Sequence, residues 1–205
     1  LKYFGDIVQK NSKFLKSKEI GRCKRGKINS RRISKIILDY NPDLIIICAT
    51  SIINNKLLDK FSNKFINFHA GLCQYYRGAG CNVWAIYYKE IEKIGVTVHF
   101  VDSKIDTGNI IIQDRPYITS RDNIHTIGIK SYKLGSKLLT QTINFYKKNG
   151  YLPSKNQPNL KSLKICKKKN FTSEIVIAVN NIIKRDKLLK KNYLEKNIKL
   201  INCIK

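Results

Sequence analysis

Apolar positions along this chain repeat at two spacings, one helical and one suited to strands. Ile33, Ile36 and Ile37 fall on one helical face. Asn29 or Ser30 can cap that helix, and Asn41-Pro42-Asp43 ends it near Tyr40, because the residue before a proline resists the helical region. Residues 44–50, Leu-Ile-Ile-Ile-Cys-Ala-Thr, are a continuous apolar run between turn signals, which predicts a buried parallel strand. A short helix over 55–60 and a strand over 64–68 complete a β-α-β unit, whose crossover should be right-handed. Residues 70–80 read as a Gly- and Tyr-rich loop. Asn82 is then a candidate cap for a helix carrying Val83, Trp84, Ile86 and Tyr87.

Two more strands follow, over 95–101 and 109–115, joined by a turn that contains Asp-Thr-Gly and closed by Pro116. Residues 123–148 place Ile124, Ile127, Leu134, Leu138 and Ile143 at helical spacing. Residues 1–28 are basic and weakly patterned, and read as a short helix followed by a loop. From Gly150 the chain holds 14 basic and 3 acidic residues. Apolar residues still recur at helical spacing over 175–194 behind a Thr172 cap, so a packed terminal helix is expected there, not a disordered basic tail. The division expected is a catalytic domain over 1–149, with its core at 30–149, and a basic extension over 150–205.

The 205 residues suit one ordinary domain. A chain of this length buries roughly 70% of its unfolded surface and needs no disulfide or structural metal to hold a core. No apolar run is long enough to span a bilayer, and no charged-then-apolar signal segment opens the chain. The six cysteines, at 23, 48, 73, 81, 166 and 203, show no C-x-x-C spacing. Scattered cysteines without a signal segment fit a reducing, cytoplasmic setting.

The formal net charge of +26 invites a nucleic-acid or anionic-surface reading. A blander one competes. Ile and Asn are also over-used, and Lys, Asn and Ile share A/T-rich codons. Non-specific RNA binding is an expected physical consequence of the charge either way.

The polar residues that could carry chemistry gather near predicted strand ends, where open α/β sheets bind ligands. Asn67 and His69 are two apart and share a face. His99 lies within a later strand and Asp106 in the turn behind it. An amide donor, an imidazole and a carboxylate can stabilise an oxyanion and move a proton. On spacing alone, a histidine near a strand end is more often structural, and an aspartate in such a turn is more often turn chemistry. There is no phosphate-binding Gly loop and no cluster of metal ligands.

The stretch Ile66-Asn-Phe-His-Ala-Gly-Leu-Cys-Gln-Tyr-Tyr-Arg-Gly78 resembles the Asn-x-His, Leu-Leu-Pro-x-Tyr-Arg-Gly region of the 10-formyltetrahydrofolate-dependent formyltransferases. Gly95-Val-Thr-Val-His-Phe-Val-Asp-Ser-Lys-Ile-Asp-Thr-Gly-Asn-Ile-Ile-Ile-Gln113 is similar to that family's second signature, and Pro42-Asp-Leu-Ile-Ile-Ile precedes both in the right order. The resemblance implies an α/β, Rossmann-like fold with a mostly parallel sheet flanked by helices. It implies Asn67, His69 and Asp106 as the catalytic trio, with His99 in support. It places the pterin of 10-formyltetrahydrofolate, a co-substrate, against Ser51, Ile52 and Ile53 on one side and Val101, Asp102 and Ile105 on the other. No metal is called for.

The chain departs from the family pattern at three places. Gly71 stands where Ser is usual, and Gln74 where Pro is usual. Only about 42 residues precede the Pro-Asp-Leu region, with no recognisable first strand. The 56 residues from Gly150 are too few and too Lys-rich for the β-barrel that the tRNA-modifying branch carries, and look like the strand-then-helix ending of small formyltransferases. The implied reaction is formyl transfer to a primary amine, with an amino sugar or another small amine favoured. The alternatives are a methionyl-tRNA formyltransferase-like enzyme, a formyltetrahydrofolate hydrolase and an inactive basic RNA-binding relative.

Overall fold

The computed structural model of the chain describes residues 23, 24, 26–185 and 198–204. The helix expected near the start of the chain lies outside them, as does the part of the expected terminal helix beyond Arg185. The chain divides into two units between Pro42 and Asp43. In the first, α1 (Arg31–Tyr40) follows Ser30 in extended backbone and stops at Asn41, which takes a left-handed φ of 43° and returns its N–H to the Ile37 and Leu38 carbonyls. Asn tolerates that conformation better than most residues.

The second unit is built on a four-stranded sheet whose strands lie in the order Ile45–Ile47, Phe65–His69, Val96–Phe100 and Ile110–Asp114. β1 (Ile45–Ile47) leads into α2 (Asn55–Lys60), whose cap is Asn54, its side chain accepting from Leu57 N at 3.2 Å. β2 (Phe65–His69) returns parallel to β1. After β3 (Tyr76–Gly78) and α3 (Cys81–Tyr87) come β4 (Val96–Phe100) and β5 (Ile110–Asp114). α4 (Ile124–Asn149) starts at a capping box in which the Asn123 side chain accepts from Thr126 N and the Thr126 hydroxyl accepts from Asn123 N. β6 (Lys164–Cys166) and α5 (Ser173–Arg185) follow.

The α/β class is the one expected. The sheet itself is mixed: β1–β2 is parallel, but β2–β4 and β4–β5 are antiparallel. The short turn after β4 forces the antiparallel β4–β5 pair, because a parallel return needs a crossover of a dozen or more residues. The stretch 70–80, which reads as a loop in the sequence, contains the short strand β3. It pairs parallel with β6, so the sequence beyond Gly150 joins the same unit.

Two further expectations are corrected. β1 is an edge of the described sheet and not a buried strand; Ile46 is 42% exposed and Cys48 is exposed. An apolar run signals burial only where a neighbour covers it, and no strand among the described residues flanks β1 on that side. Asn82 does not cap α3; Gly80 does, at φ 70°. The Asn82 amide is buried instead, with its Oδ1 accepting from Gly95 N and its Nδ2 donating to Gly95 O and Ser131 Oγ.

Alternation along β2 and β4 sorts the sheet into two faces. Ile66, Phe68, Val96 and Val98 pack with Leu138 of α4 in one apolar cluster. Gly135 of α4 lies against the Phe68 ring so closely that a Cβ there would come within 2.0 Å of it. Asn67, His69, Thr97 and His99 point to the other face, with Asn67 paired to His99 and His69 to Thr97. A second core joins α3, α5 and the start of α4 through Trp84, Ile86, Val179 and Ile127.

Candidate active site

Burial of the apolar face against α4 fixes the register of β2, and with it the direction of Asn67 and His69. His99 reaches the same spot from β4, beside a β-bulge at Val98 and His99. Bulges of this kind re-aim a side chain beside a functional site. The turn after β4 leaves the sheet near the start of β2, where Val101 N donates to Phe65 O at 2.9 Å. It then folds back, and Asp106, at φ 51°, turns its carboxylate onto the polar face.

The four side chains meet. Asn67 Nδ2 donates to Asp106 Oδ1 at 3.2 Å. His69 Nδ1 lies 3.3 Å from Asp106 Oδ2, and His99 Nε2 lies 3.5 Å from Asp106 Oδ1. Gly78 N donates to Asp106 Oδ2 at 2.8 Å. The carboxylate thus faces a backbone donor, an amide and two imidazoles. Asn67 is half-buried, while both histidines are buried.

Charge is distributed unequally. Burial opposes the ionised form of Asp106, but the bond to His99 and the field of His69 outweigh it and lower its pKa to about 2. Burial would also lower His99; the Cys73 sulfur and the Asp106 carboxylate overcome it and raise its pKa to about 10. At neutral pH His99 is an imidazolium, donating from Nδ1 to Phe100 O at 2.6 Å. Its Nε2 sits 3.2 Å from Asn67 Nδ2, a contact that is a hydrogen bond only when Nε2 is unprotonated.

His69 goes the other way. Burial is the largest influence and lowers its pKa, despite the pull of Asp106, and charged His99 lowers it further. A carboxylate neighbour ordinarily favours a charged imidazole, but at His69 desolvation outweighs it. Both His69 nitrogens nevertheless face oxygens, Nδ1 toward Asp106 and Nε2 toward Tyr76 O at 3.3 Å. Only the protonated ring can donate to both. The geometry accommodates the cation that the ring becomes on taking a proton, while burial disfavours that form.

The structure also explains the two unusual residues in the loop behind His69. A Cβ at position 71 would meet Cys81 Cβ and His69 Nε2, each at 2.6 Å, so glycine is what fits between them. Gln74 is buried and exchanges amide bonds with Gln113 of β5, at 2.6 and 3.2 Å. Gln113 Nε2 also donates to Thr97 Oγ1 at 2.9 Å, and the Thr97 hydroxyl donates to Gly71 O at 2.7 Å. A polar ladder thus holds the loop that a proline stiffens elsewhere.

The expected pterin-lining residues are more scattered. Ser51 and Val101 are half-buried, while Ile52 and Ile105 are exposed by 56% and 45%. Ile53 is only 2% exposed and belongs to the core. Asp102 turns inward to the local chain, its carboxylate accepting from Lys104 N and the Thr107 hydroxyl. Residues that the sequence did not single out include Tyr76, whose hydroxyl donates to Glu90, and Gln157, which reaches the Asp106 turn. The Tyr-Tyr-Arg-Gly string offered a hint of the former; nothing in the sequence signalled the latter. Among the described residues no group of three or more His, Cys, Asp or Glu side chains converges as metal ligands, and no helix is long and apolar enough to cross a membrane.

An amide, two imidazoles and a backbone N–H thus surround one carboxylate on the polar face of the sheet. The chain belongs to the formyl transferase family, whose model matches residues 8–143. Among curated relatives, methionyl-tRNA formyltransferase of Chlorobium chlorochromatii is 30% identical over 116 residues, 57% of this chain and 37% of that protein. The corresponding enzyme of Azobacteroides pseudotrichonymphae is 35% identical over 62% of this chain and 39% of its own length. The chain thus spans about two fifths of the curated relatives it matches. Among solved structures, the formyltransferase PseJ from Anoxybacillus kamchatkensis, in complex with UDP-4,6-dideoxy-4-formamido-L-AltNAc and tetrahydrofolate, superposes with a TM-score of 0.62. It is 22% identical, covering 89% of this chain and 95% of that one. A 4-N formyltransferase from Francisella tularensis gives 0.63 at 22% identity, over 87% and 73%. These structures share the fold.

Proposed function

We propose that the chain transfers a formyl group from 10-formyltetrahydrofolate to a primary amine, and that the amine belongs to a nucleotide-linked amino sugar. The observation that carries the transfer reading is the convergence of Asn67, His69 and Asp106, three residues from two distant segments, on one partly solvent-facing spot. The attacking nitrogen bonds to the formyl carbon and the carbonyl oxygen becomes negative. Asn67 Nδ2 is the donor placed to stabilise that oxygen. The nitrogen must then lose a proton. Neutral His69, with Asp106 and Tyr76 O waiting to accept from its charged form, takes it. The proton passes back to the folate nitrogen as the bond from that nitrogen to the formyl carbon breaks. Asp106 stays ionised throughout, held so by His99. No step calls for a metal.

The sugar reading draws on PseJ, which matches this chain nearly end to end and was solved with a formamido sugar nucleotide. Methionyl-tRNA is the second reading, favoured by the names of the curated relatives and by the charge of +26. Ser51, Ile52, Val101 and Ile105 are proposed to flank the pterin, with Asp102 shaping the turn. A solution setting in the cytoplasm fits the folate chemistry.

One competition experiment tests the acceptor. The chain is incubated with 10-formyltetrahydrofolate and either a UDP-linked 4-amino-4,6-dideoxy sugar or methionyl-tRNA, and formylated product is read by mass spectrometry. Formylation of the sugar nucleotide supports the proposal; formylation of the tRNA alone overturns it in favour of the second reading. RNA retention that fades steeply with salt marks the charge as non-specific.

A further inference from the structure

We propose that Gln157, held by Arg77, is a positioning residue that sets the place of the Asp106 carboxylate. This rests on the reading of Asp106 as part of the transfer site. Gln157 lies outside residues 8–143, in the stretch whose sequence reads only as the start of a basic extension.

Asp106 is a non-glycine residue at φ 51°, an uncommon conformation that persists where surrounding contacts hold it. Gln157 supplies those contacts. Its Nε2 donates one hydrogen to Asp106 O at 2.8 Å and the other to Gly108 O at 2.8 Å, bracketing the turn from both sides. Both donors of the amide are thereby used.

The amide is itself oriented. Gln157 Oε1 accepts from Arg77 Nη2 at 2.8 Å and from Nε at 3.3 Å, and Arg77 Nε also donates to Cys73 O at 3.1 Å. Arg77 therefore decides which end of the amide faces the turn. One residue further along β3, Gly78 N donates to the Asp106 carboxylate. The result is a closed ring: β3 holds the Asp106 side chain directly, and through Arg77 and Gln157 it holds the Asp106 backbone. A shift of the turn by an ångström would spoil the 3.3 Å approach to His69. Misplacements of that size reduce rates by about 10²-fold in other enzymes.

The test uses Gln157→Leu, which keeps the bulk and removes both donors. With 10-formyltetrahydrofolate and the UDP-linked 4-amino sugar, kcat should fall by about 10–100-fold while KM for the formyl donor moves less than about threefold. Without substrate, the NMR titration midpoint of His69 should shift, because the Asp106 oxygen facing it has moved. Added to Asp106→Asn, Gln157→Leu should have little further effect, since the two act as a unit. A merely structural Gln157 would leave the titration unmoved and lower activity equally in both backgrounds; either result overturns the proposal. If Gln157→Leu does not fold, Gln157→Glu keeps the acceptor for Arg77 and removes the donors; wild-type titration and turnover in that variant also overturn it. The underlying reading fails separately. Unchanged transfer in Asp106→Asn defeats the reading of Asp106, whereas a silent Gln157→Leu beside an inactive Asp106→Asn defeats only the positioning role.

Discussion

His69 and Asp106 stand 3.3 Å apart, Nδ1 to Oδ2, yet burial holds the imidazole pKa below its ordinary value while the pKa of the carboxylate is lowered to about 2. Proximity to an anion ordinarily promotes a charged histidine. Here burial outweighs it, and His99 carries the positive charge instead. The pair is thus poised to accept one proton, which is what an attacking amine must lose.

Asp106→Asn removes the charge and keeps the shape. Transfer should fall by about 10²–10⁴-fold, the usual worth of general acid–base assistance, while folate binding persists. Equilibrium binding of tetrahydrofolate beside single-turnover formyl transfer makes the comparison. A turn residue with no chemical role would leave both unchanged.

Asn67→Ala should reduce kcat by about 10²–10³-fold with the fold retained, as loss of one oxyanion donor does elsewhere. The residue is half-buried, and its side chain lies on the face opposite the apolar cluster of β2 and β4. Steady-state kinetics with a melting curve check this; turnover equal to wild type removes Asn67 from the mechanism.

The two histidines should titrate in opposite directions from the ordinary value near 6.5. His99 should titrate near pH 10 and His69 below 6.5. The consequences for stability follow by linkage. The contribution of His99, whose folded pKa is raised, is complete below about 6.5 and is lost as pH rises through about 10. The contribution of Asp106, whose folded pKa is depressed, is present above about 4 and is lost as pH falls through about 2. His69, buried neutral, adds a destabilising pull as pH falls below about 6.5. NMR titration of the two rings and melting temperatures across pH test the pattern, and a His69 midpoint above that of His99 contradicts it.

Gly135→Ala should destabilise the chain by about 1–3 kcal/mol through overpacking. The added methyl would lie 2.0 Å from the Phe68 ring, in the strand that carries Asn67 and His69. Chemical denaturation measures the loss. Phe68→Leu combined with Gly135→Ala should recover part of it.

Gln113→Leu should cost about 1–3 kcal/mol by leaving the buried Gln74 amide unpaired. Replacing both glutamines by leucine should cost less than the two single losses added together. A double-mutant cycle with no coupling would show that the ladder does not hold the loop.

Local chemistry determined much of this protein from the sequence alone. The α2 and α4 boundaries and the strands around 64–68, 95–101 and 109–115 follow from periodicity and caps, because those signals act over a few residues, whereas the grouping of Asn67, His69, His99 and Asp106 comes from the resemblance to a family's motif strings. Tertiary structure decided the rest. Whether the run at 44–50 is covered depends on what lies beside β1. Which histidine is charged depends on how burial competes with a carboxylate, a balance set by atoms from β2, β4 and the turn together. The role of Gln157 depends on a residue 51 positions from Asp106 being folded back to within a hydrogen bond of its carbonyl. No sequence period reports such a contact, since chain closure, not local propensity, brings the two together.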